Sequence, residues 1–276
     1  MDTPRDILQR HGLRAKHSWG QNFLGDPDIL GEIADSLELR EGEPVVELGP
    51  GLGHLTRFLS ATGARVTAVE KDRDMVAVLE KEAIPGVRVV SGNAATVDFA
   101  EVAGVPEVKV AGNLPYHLTS PILFRVLEQR ASVLRAVFTL QKEVVDRLAA
   151  EPGGREYGLL TAILGLYFEN EHLFDIDAQR FHPPPKVDSA VLRLTRRAEP
   201  LAPVVDGARY IRVVKAGFAQ RRKTLINSLK SDKTLGTTEQ LQEALRTAGI
   251  DPMRRAETLS PQEFAAIERA LGPVAK

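Results

Sequence analysis

Two segments of this 276-residue chain carry residue types from which a reaction could be built. The first is Asn113-Leu114-Pro115-Tyr116. An exocyclic aromatic amine such as adenine N6 is a poor nucleophile because its lone pair is delocalised into the ring. Hydrogen-bond acceptors directed at its N–H groups, here the Asn113 side chain and the Leu114 carbonyl, favour a more pyramidal nitrogen. Pro115 has a fixed φ and no N–H, so it holds that carbonyl outward. Tyr116 offers a π-face on which a base stacks. Placing the amine in line with a sulfonium methyl then suffices, without a metal or a covalent intermediate. A monomethylated amine keeps one N–H and its lone pair, so a second transfer is chemically possible. The plain alternative is a proline-containing turn with a surface tyrosine.

The second segment, Val45-Val46-Glu47-Leu48-Gly49-Pro50-Gly51-Leu52-Gly53, reads as a buried strand running into a glycine-rich turn and a helix. Glycines allow φ > 0 and let a ligand come close to the backbone. Glu70 ends the next strand, 21 residues after Gly49, where an acid is placed to accept the hydroxyls of a ribose. A dinucleotide fingerprint requires G-x-G-x-x-G, with pyrophosphate on the helix N-terminus. Here the spacing is G-x-G-x-G, with His54 and Leu55 where the last glycine would fall. That suits S-adenosylmethionine better, since it carries ribose and adenine but no phosphate. The glycine turn by itself leaves the choice open.

The elements that must position these residues follow from periodicity. Strand patterns occupy Pro44–Leu48, Arg65–Glu70, Val87–Ser91, Val108–Gly112 and Ala136–Leu140, with a further one at Val187–Leu194. Between them, Asp26-Pro27 reads as an N-cap with proline at the first helical position. The helix it opens carries Ile29, Leu30, Ile33, Ala34 and Leu37 on one face. Met75, Val76 and Leu79 mark a helix after Asp72, and Ile122, Leu123, Val126 and Leu127 another. Strands alternating with helices predict a doubly wound, mostly parallel α/β sheet of Rossmann-like form, which binds ligands at the carboxyl ends of its strands. Pro200 and Pro203 mark a linker, beyond which only helical periods remain. The expected domains are residues 1–200, α/β, and 201–276, all helical.

Formal net charge is −1, with 36 Lys+Arg against 37 Asp+Glu. Taken whole, that neutrality argues against a nucleic-acid binder. Divided at 200/201 it is a cancellation: residues 201–276 carry 13 basic and 8 acidic side chains, a balance of +5 against −6 for the remainder. The absence of Cys excludes a disulfide framework and a thiolate metal site. His17, His54 and His117 lie near the motifs without metal-ligand spacing, so no metal is expected. The longest apolar stretch, Gly158–Phe168, is far shorter than the roughly 20 residues that span a bilayer, and no signal peptide is visible. The expectation is a soluble, cytoplasmic, monomeric protein without a membrane partner.

The chain resembles the small-subunit ribosomal RNA adenine N6,N6-dimethyltransferase family, whose relatives include the erythromycin-resistance methylases. The resemblance rests on Gly20-Gln21-Asn22-Phe23-Leu24, Glu47–Gly53, Glu70, Asn113–Tyr116, Gln141-Lys142-Glu143, Phe181–Ser189 and Phe218–Leu229, in family order across nearly the whole chain. It implies S-adenosylmethionine as cofactor. Asn22 and Leu24 would close over its methionine end with Gln21 beside them. Gly49 and Gly51 would approach methionine and ribose, Glu70 would take the ribose hydroxyls with Lys71 next to it, and Asn113 would border both ligands. Phe181 would stack on the target adenine opposite Tyr116; its plain alternative is a core phenylalanine before a polyproline turn. One departure is Gly92-Asn93, where the family usually has Asp accepting the cofactor adenine's N6–H. Asn keeps a carbonyl acceptor but loses the charge.

The resemblance further implies dimethylation of two adjacent adenosines near the 3′ end of small-subunit (16S) ribosomal RNA, with the small subunit as partner. Ala219–Leu225, including Arg221, Arg222 and Lys223, is expected in a helix whose apolar side runs from Tyr210 to Leu229. Arg209, Arg212 and Lys215 would project with them as an RNA phosphate track, which positions substrate without reading sequence. A solvated charged face is the alternative. Competing functions are an erythromycin-resistance-type enzyme acting on large-subunit RNA, and a non-catalytic ribosome-assembly or transcription factor on the same fold. A nicotinamide oxidoreductase is disfavoured by the glycine spacing.

Overall fold

A computed structural model describes residues 1–220 and 222–272. In chain order it contains helix α1 (Pro4–Arg10), strand β1 (Phe23–Leu24), α2 (Pro27–Asp35), β2 (Pro44–Leu48), α3 (His54–Ala61), β3 (Arg65–Glu70), α4 (Arg73–Glu82), β4 (Val87–Ser91) and α5 (Phe99–Ala103). There follow β5 (Val108–Asn113), α6 (Thr119–Glu128), β6 (Val133–Gln141), α7 (Lys142–Leu148), α8 (Leu159–Tyr167), β7 (Phe168–Ile176), β8 (Phe181–His182) and β9 (Ser189–Arg196). The last helices are α9 (Gly207–Phe218), α10 (Leu225–Leu229), α11 (Thr238–Thr247) and α12 (Pro261–Ala270). The residues form two compact units, Met1–Val145 with Glu171–Arg196, and Asp146–Asn170 with Arg197–Lys276.

The first unit is built on a seven-stranded sheet of order β4-β3-β2-β5-β6-β9-β7. Strands β4, β3, β2, β5 and β6 run parallel, and β9 pairs antiparallel to β6. Strands covered on both faces must be apolar along their length, and Val45, Val46 and Leu48 of β2 are fully buried. Strand order reverses between β2 and β5. Such a switch point leaves a crevice at the carboxyl ends of the two strands, where Gly49–Gly53 follows β2 and Asn113–Tyr116 follows β5. The Asp26 cap read from sequence forms, and Asp72 caps α4. Asp26 accepts from the Asp28 and Ile29 N–H groups at 3.1 and 3.3 Å, and Asp72 from the Asp74 N–H at 3.1 Å.

Several strands differ from the sequence expectation. β6 begins three residues earlier than expected, and β9 covers Ser189–Arg196 rather than Val187–Leu194. β7, at the sheet edge, had no strand signal because Glu169-Asn170-Glu171-His172 lacks apolar alternation, and an edge strand half open to water does not need it. A separate two-stranded ribbon pairs β1 with β8 antiparallel, Phe23 opposite His182 and Leu24 opposite Phe181.

The second unit is helical. The boundary expected near Pro200 falls between Arg196 and Arg197, and Asp146–Asn170, counted with the first domain from sequence, packs in this unit. α8 is apolar almost all round, so it is buried on several sides; Tyr210 Oη donates to the Ala162 carbonyl at 2.7 Å. Divided this way, the second unit carries 16 basic and 13 acidic side chains, +3, and the first −4. The asymmetry is milder than a cut at 200 implies. Arg209 is also corrected: instead of projecting, it is buried and its Nε donates to Glu268 Oε1 at 2.8 Å, since a buried charge requires a partner. The expected continuous basic helix is interrupted. α9 ends at Phe218, and Thr224, in extended conformation, starts α10 as its N-cap. Arg222 and Lys223 are exposed in the connecting turn; Arg221 lies outside the described residues.

Candidate functional site

The crevice of the first unit has two joined lobes, of about 810 Å³ and about 760 Å³. Trp19, Gly49, Glu70, Leu114 and Pro115 border both. The first lobe also takes in Gln21, Asn22, Leu24, Glu47, Gly51, Asn113, Tyr116 and Phe181, and the second Lys71, Asn93, Leu118 and Ile122. Every first-domain residue given a cofactor or base role from sequence therefore borders one crevice.

The glycine turn has positive φ at Gly49 (+67°), Gly51 (+54°) and Gly53 (+79°), a conformation other residues rarely adopt. The first two glycines serve different ends. A Cβ on Gly49 would meet nothing within 4 Å, so its backbone faces open space that a ligand can fill. A Cβ on Gly51 would lie 2.8 Å from Phe23 Cε1; that glycine makes room for the protein's own ring.

Glu70 is held by backbone alone. Its Oε1 accepts from the Lys71 and Asp72 N–H groups at 2.8 Å each, and its Oε2 from Gly51 N–H at 3.1 Å. Burial pushes its carboxyl above the usual range, against these donors, and Asp72 adds to the rise. Glu47 is fully buried beneath the turn and its carboxyl is pushed up to about 8, by burial first and by the Glu70 charge as well. In the second lobe, Asn93 Oδ1 accepts from Ala95 N–H at 3.1 Å, so one lone pair of its single carbonyl oxygen is already engaged.

At the other end, Asn113 Nδ2 donates to the Asn22 carbonyl at 3.0 Å. That bond settles the orientation of the amide and leaves Oδ1 as the acceptor. Pro115, with φ −57° and ψ 129°, turns the chain out of β5. Tyr116 Oη and Ser189 Oγ are hydrogen bonded at 2.9 Å, and burial raises the phenol's pKa. Phe181 is buried in the apolar cluster that includes Leu24 and Leu30, and it also borders the first lobe. The core alternative given for it from sequence is met, and its place at the lobe puts its ring within the site.

Gln21 borders the first lobe, and its amide is engaged within the protein. Its Oε1 accepts from Lys16 N–H and its Nε2 donates to Asp72 Oδ2, both at 2.8 Å, so both ends of the amide are engaged in holding the segment before β1. Lys16 completes that latch through Asp72 and Asp74, both at 2.7 Å. Sequence reasoning passed over Lys16, Asp72, Trp19 and Ser189 as site residues. Asp72 was visible only as the residue before a helix, which it caps while it holds this latch.

The arrangement can hold a nucleoside in the second lobe, its ribose at Glu70, and an aromatic amine in the first, its N–H groups at Asn113 Oδ1 and the Leu114 carbonyl. A family model described as Ribosomal RNA adenine dimethylase matches residues 12–272. Ribosomal RNA small subunit methyltransferase A of Myxococcus xanthus is 78% identical, covering 99% of this chain and 97% of that one. Its counterpart from Anaeromyxobacter sp. (strain K) is 50% identical over 98% of each. Among solved structures, the 23S rRNA methyltransferase ErmE superposes with a TM-score of 0.70 at 32% identity, over 91% of this chain and 100% of that one. A dimethyladenosine transferase from Plasmodium falciparum, at 23% identity over 89% and 95%, shares the fold with a TM-score of 0.77.

Proposed function

This chain belongs to the ribosomal RNA adenine dimethylase family, and we propose that it dimethylates N6 of two adjacent adenosines near the 3′ end of 16S ribosomal RNA during maturation of the small subunit. The observation that carries this reading is the Asn113–Asn22 hydrogen bond, which fixes an acceptor where an amine would sit. The residues present fit S-adenosylmethionine: Gly49 leaves backbone space, Glu70 presents a fixed carboxylate, and no phosphate-binding turn is required. When bound, it supplies a sulfonium methyl to the amine, whose proton leaves to water.

The chain's own residues do the rest. Asn113 Oδ1 and the Leu114 carbonyl draw the amine out of conjugation and aim its lone pair, while Tyr116 and Phe181 hold the base. Asn22 and Leu24 close the methionine end, and Gln21 acts through its latch on Lys16 and Asp72. After one transfer the amine still has an N–H for one of the two acceptors. Asn93→Asp tightens cofactor binding a few-fold by titration calorimetry, since a second, charged oxygen becomes available to the adenine amino group. A loss of binding would place that amino group elsewhere.

In the second unit, Arg222 and Lys223, together with Arg221, contact RNA phosphates. The partner is the small subunit, recognised by shape. Reversing the three charges raises KM for small subunits by about tenfold or more at moderate salt while cofactor affinity is unchanged. Unaltered activity would return these residues to a merely solvated face. Among the described residues, no helix is long and apolar enough to cross a membrane. The protein acts in the cytoplasm as a monomer.

The deciding experiment gives labelled S-adenosylmethionine to small subunits lacking these methyl groups, with large subunits and naked RNA as controls. Label in small-subunit RNA, recovered as dimethyladenosine, is expected. Label confined to large-subunit RNA would select the erythromycin-resistance activity, and none anywhere would leave a non-catalytic assembly factor.

A further inference from the structure

Trp19 is the sole tryptophan of the chain, and 39% of its surface is open to solvent. It ends the short turn His17–Trp19 and borders both lobes of the crevice. Two ammonium groups lie over its ring, Lys16 Nζ at 5.5 Å and Lys71 Nζ at 5.9 Å from the centroid. Their circumstances differ. Lys16 is neutralised, bonded to both oxygens of Asp72 at 2.7 and 2.9 Å and paired with Asp74. Lys71 is exposed and makes no ion pair among the described residues.

We propose that Trp19 receives the nucleobase next to the adenosine held in the first lobe, and that the Lys71 ammonium meets the phosphate joining the two nucleosides. The proposal rests on the adenosine reading of that lobe. A base drawn out of its stack exposes the face of its neighbour, and an aromatic side chain at the mouth of the site replaces the lost stacking. Charge distinguishes this use of Trp19 from service to the cofactor. S-adenosylmethionine carries a sulfonium and an ammonium against one carboxylate, so an uncompensated lysine at its rim repels it. RNA brings one negative charge per nucleotide, which that lysine attracts. Lys71 is the mobile partner: leaving the indole for a phosphate frees a face for the incoming base, while Lys16 stays bound to its two aspartates.

The test uses full-length protein with undermodified small subunits. Trp19→Ala raises KM for the subunit about tenfold, with kcat and the cofactor Kd from calorimetry changed less than twofold. Trp19→Phe, which keeps an aromatic face, recovers most of the loss. Lys71→Ala lowers the slope of log kcat/KM against log salt by about one. In the wild type, a short single-stranded adenine oligonucleotide added with S-adenosylhomocysteine quenches the tryptophan emission. An unchanged KM in Trp19→Ala overturns the proposal, and so does a loss of cofactor affinity matching the loss in KM, which would make Trp19 a cover for the cofactor. If the wild type labels no small subunits, the functional reading fails and takes this one with it. Labelling by the wild type with no effect of Trp19→Ala defeats this proposal alone.

Discussion

Asn113→Ala lowers kcat by about 10²–10³ while the cofactor Kd moves less than tenfold. The size follows from losing a fixed dipole aimed at a reacting group, a change of roughly that magnitude where donors or acceptors are preorganised. The direction follows from the geometry. Asn113 Oδ1 is free to accept because Nδ2 is engaged by the Asn22 carbonyl at 3.0 Å. Alanine removes both the acceptor and the tie to Asn22. Asn113→Asp separates the two, since it keeps an acceptor but sets a carboxylate oxygen against the Asn22 carbonyl. It should retain more of the chemical step than alanine and lose more of the closure. Single-turnover methylation with labelled cofactor reads the step, and calorimetry reads the binding. Equal losses in both for Asn113→Ala would reduce Asn113 to a brace for the cofactor.

Glu70→Ala weakens cofactor binding by about 10²-fold or more. Hydrogen bonds to a charged group contribute roughly 1.5–3 kcal/mol each, and about 1.4 kcal/mol is a factor of ten. The substitution also reaches the fold, because Glu70 accepts from the Gly51, Lys71 and Asp72 N–H groups. Orphaning them costs on the order of 1–3 kcal/mol for each that water cannot reach. Glu70→Gln keeps one acceptor oxygen and must turn its NH₂ toward backbone donors, so it falls between wild type and alanine in both respects. Chemical denaturation measured alongside calorimetry separates the two effects. Full stability in Glu70→Ala would contradict the hydrogen bonding described above. Cofactor affinity within threefold of wild type would remove the ribose from Glu70.

The parts of this fold legible in the sequence are those that obey a period or a cap. β2 to β6 are near-continuous apolar runs, and Asp26 announces the helix it caps. The order of glycine turn, acid-terminated strand and Asn113–Tyr116 was enough to bring these motifs together at the carboxyl ends of one sheet's strands. What could not be read lacks such a pattern. β1 and β8 are two residues each, too short for alternation, and their pairing joins segments far apart in the chain. The end of α9 is invisible because Tyr210, Phe218 and Leu225 keep apolar spacing while Thr224 breaks the backbone. Gln21 stands in one motif with Asn22 and Leu24, and only three-dimensional structure shows both ends of its amide occupied within the protein. Arg209, one basic residue among many, gave no sign that Glu268 would bury it.

The strap from Gly20 to Leu24 touches four separate parts of the first unit. Gln21 reaches Asp72, Asn22 holds Asn113, Phe23 rests on Gly51, and Leu24 pairs with Phe181. A further tie, Arg180 to Asp26 at 2.8 Å, fastens the chain on either side of the ribbon. Where binding in one lobe orders this strap, the entropy of ordering is lost once and the second ligand binds correspondingly tighter, by the same factor in either sequence of arrival.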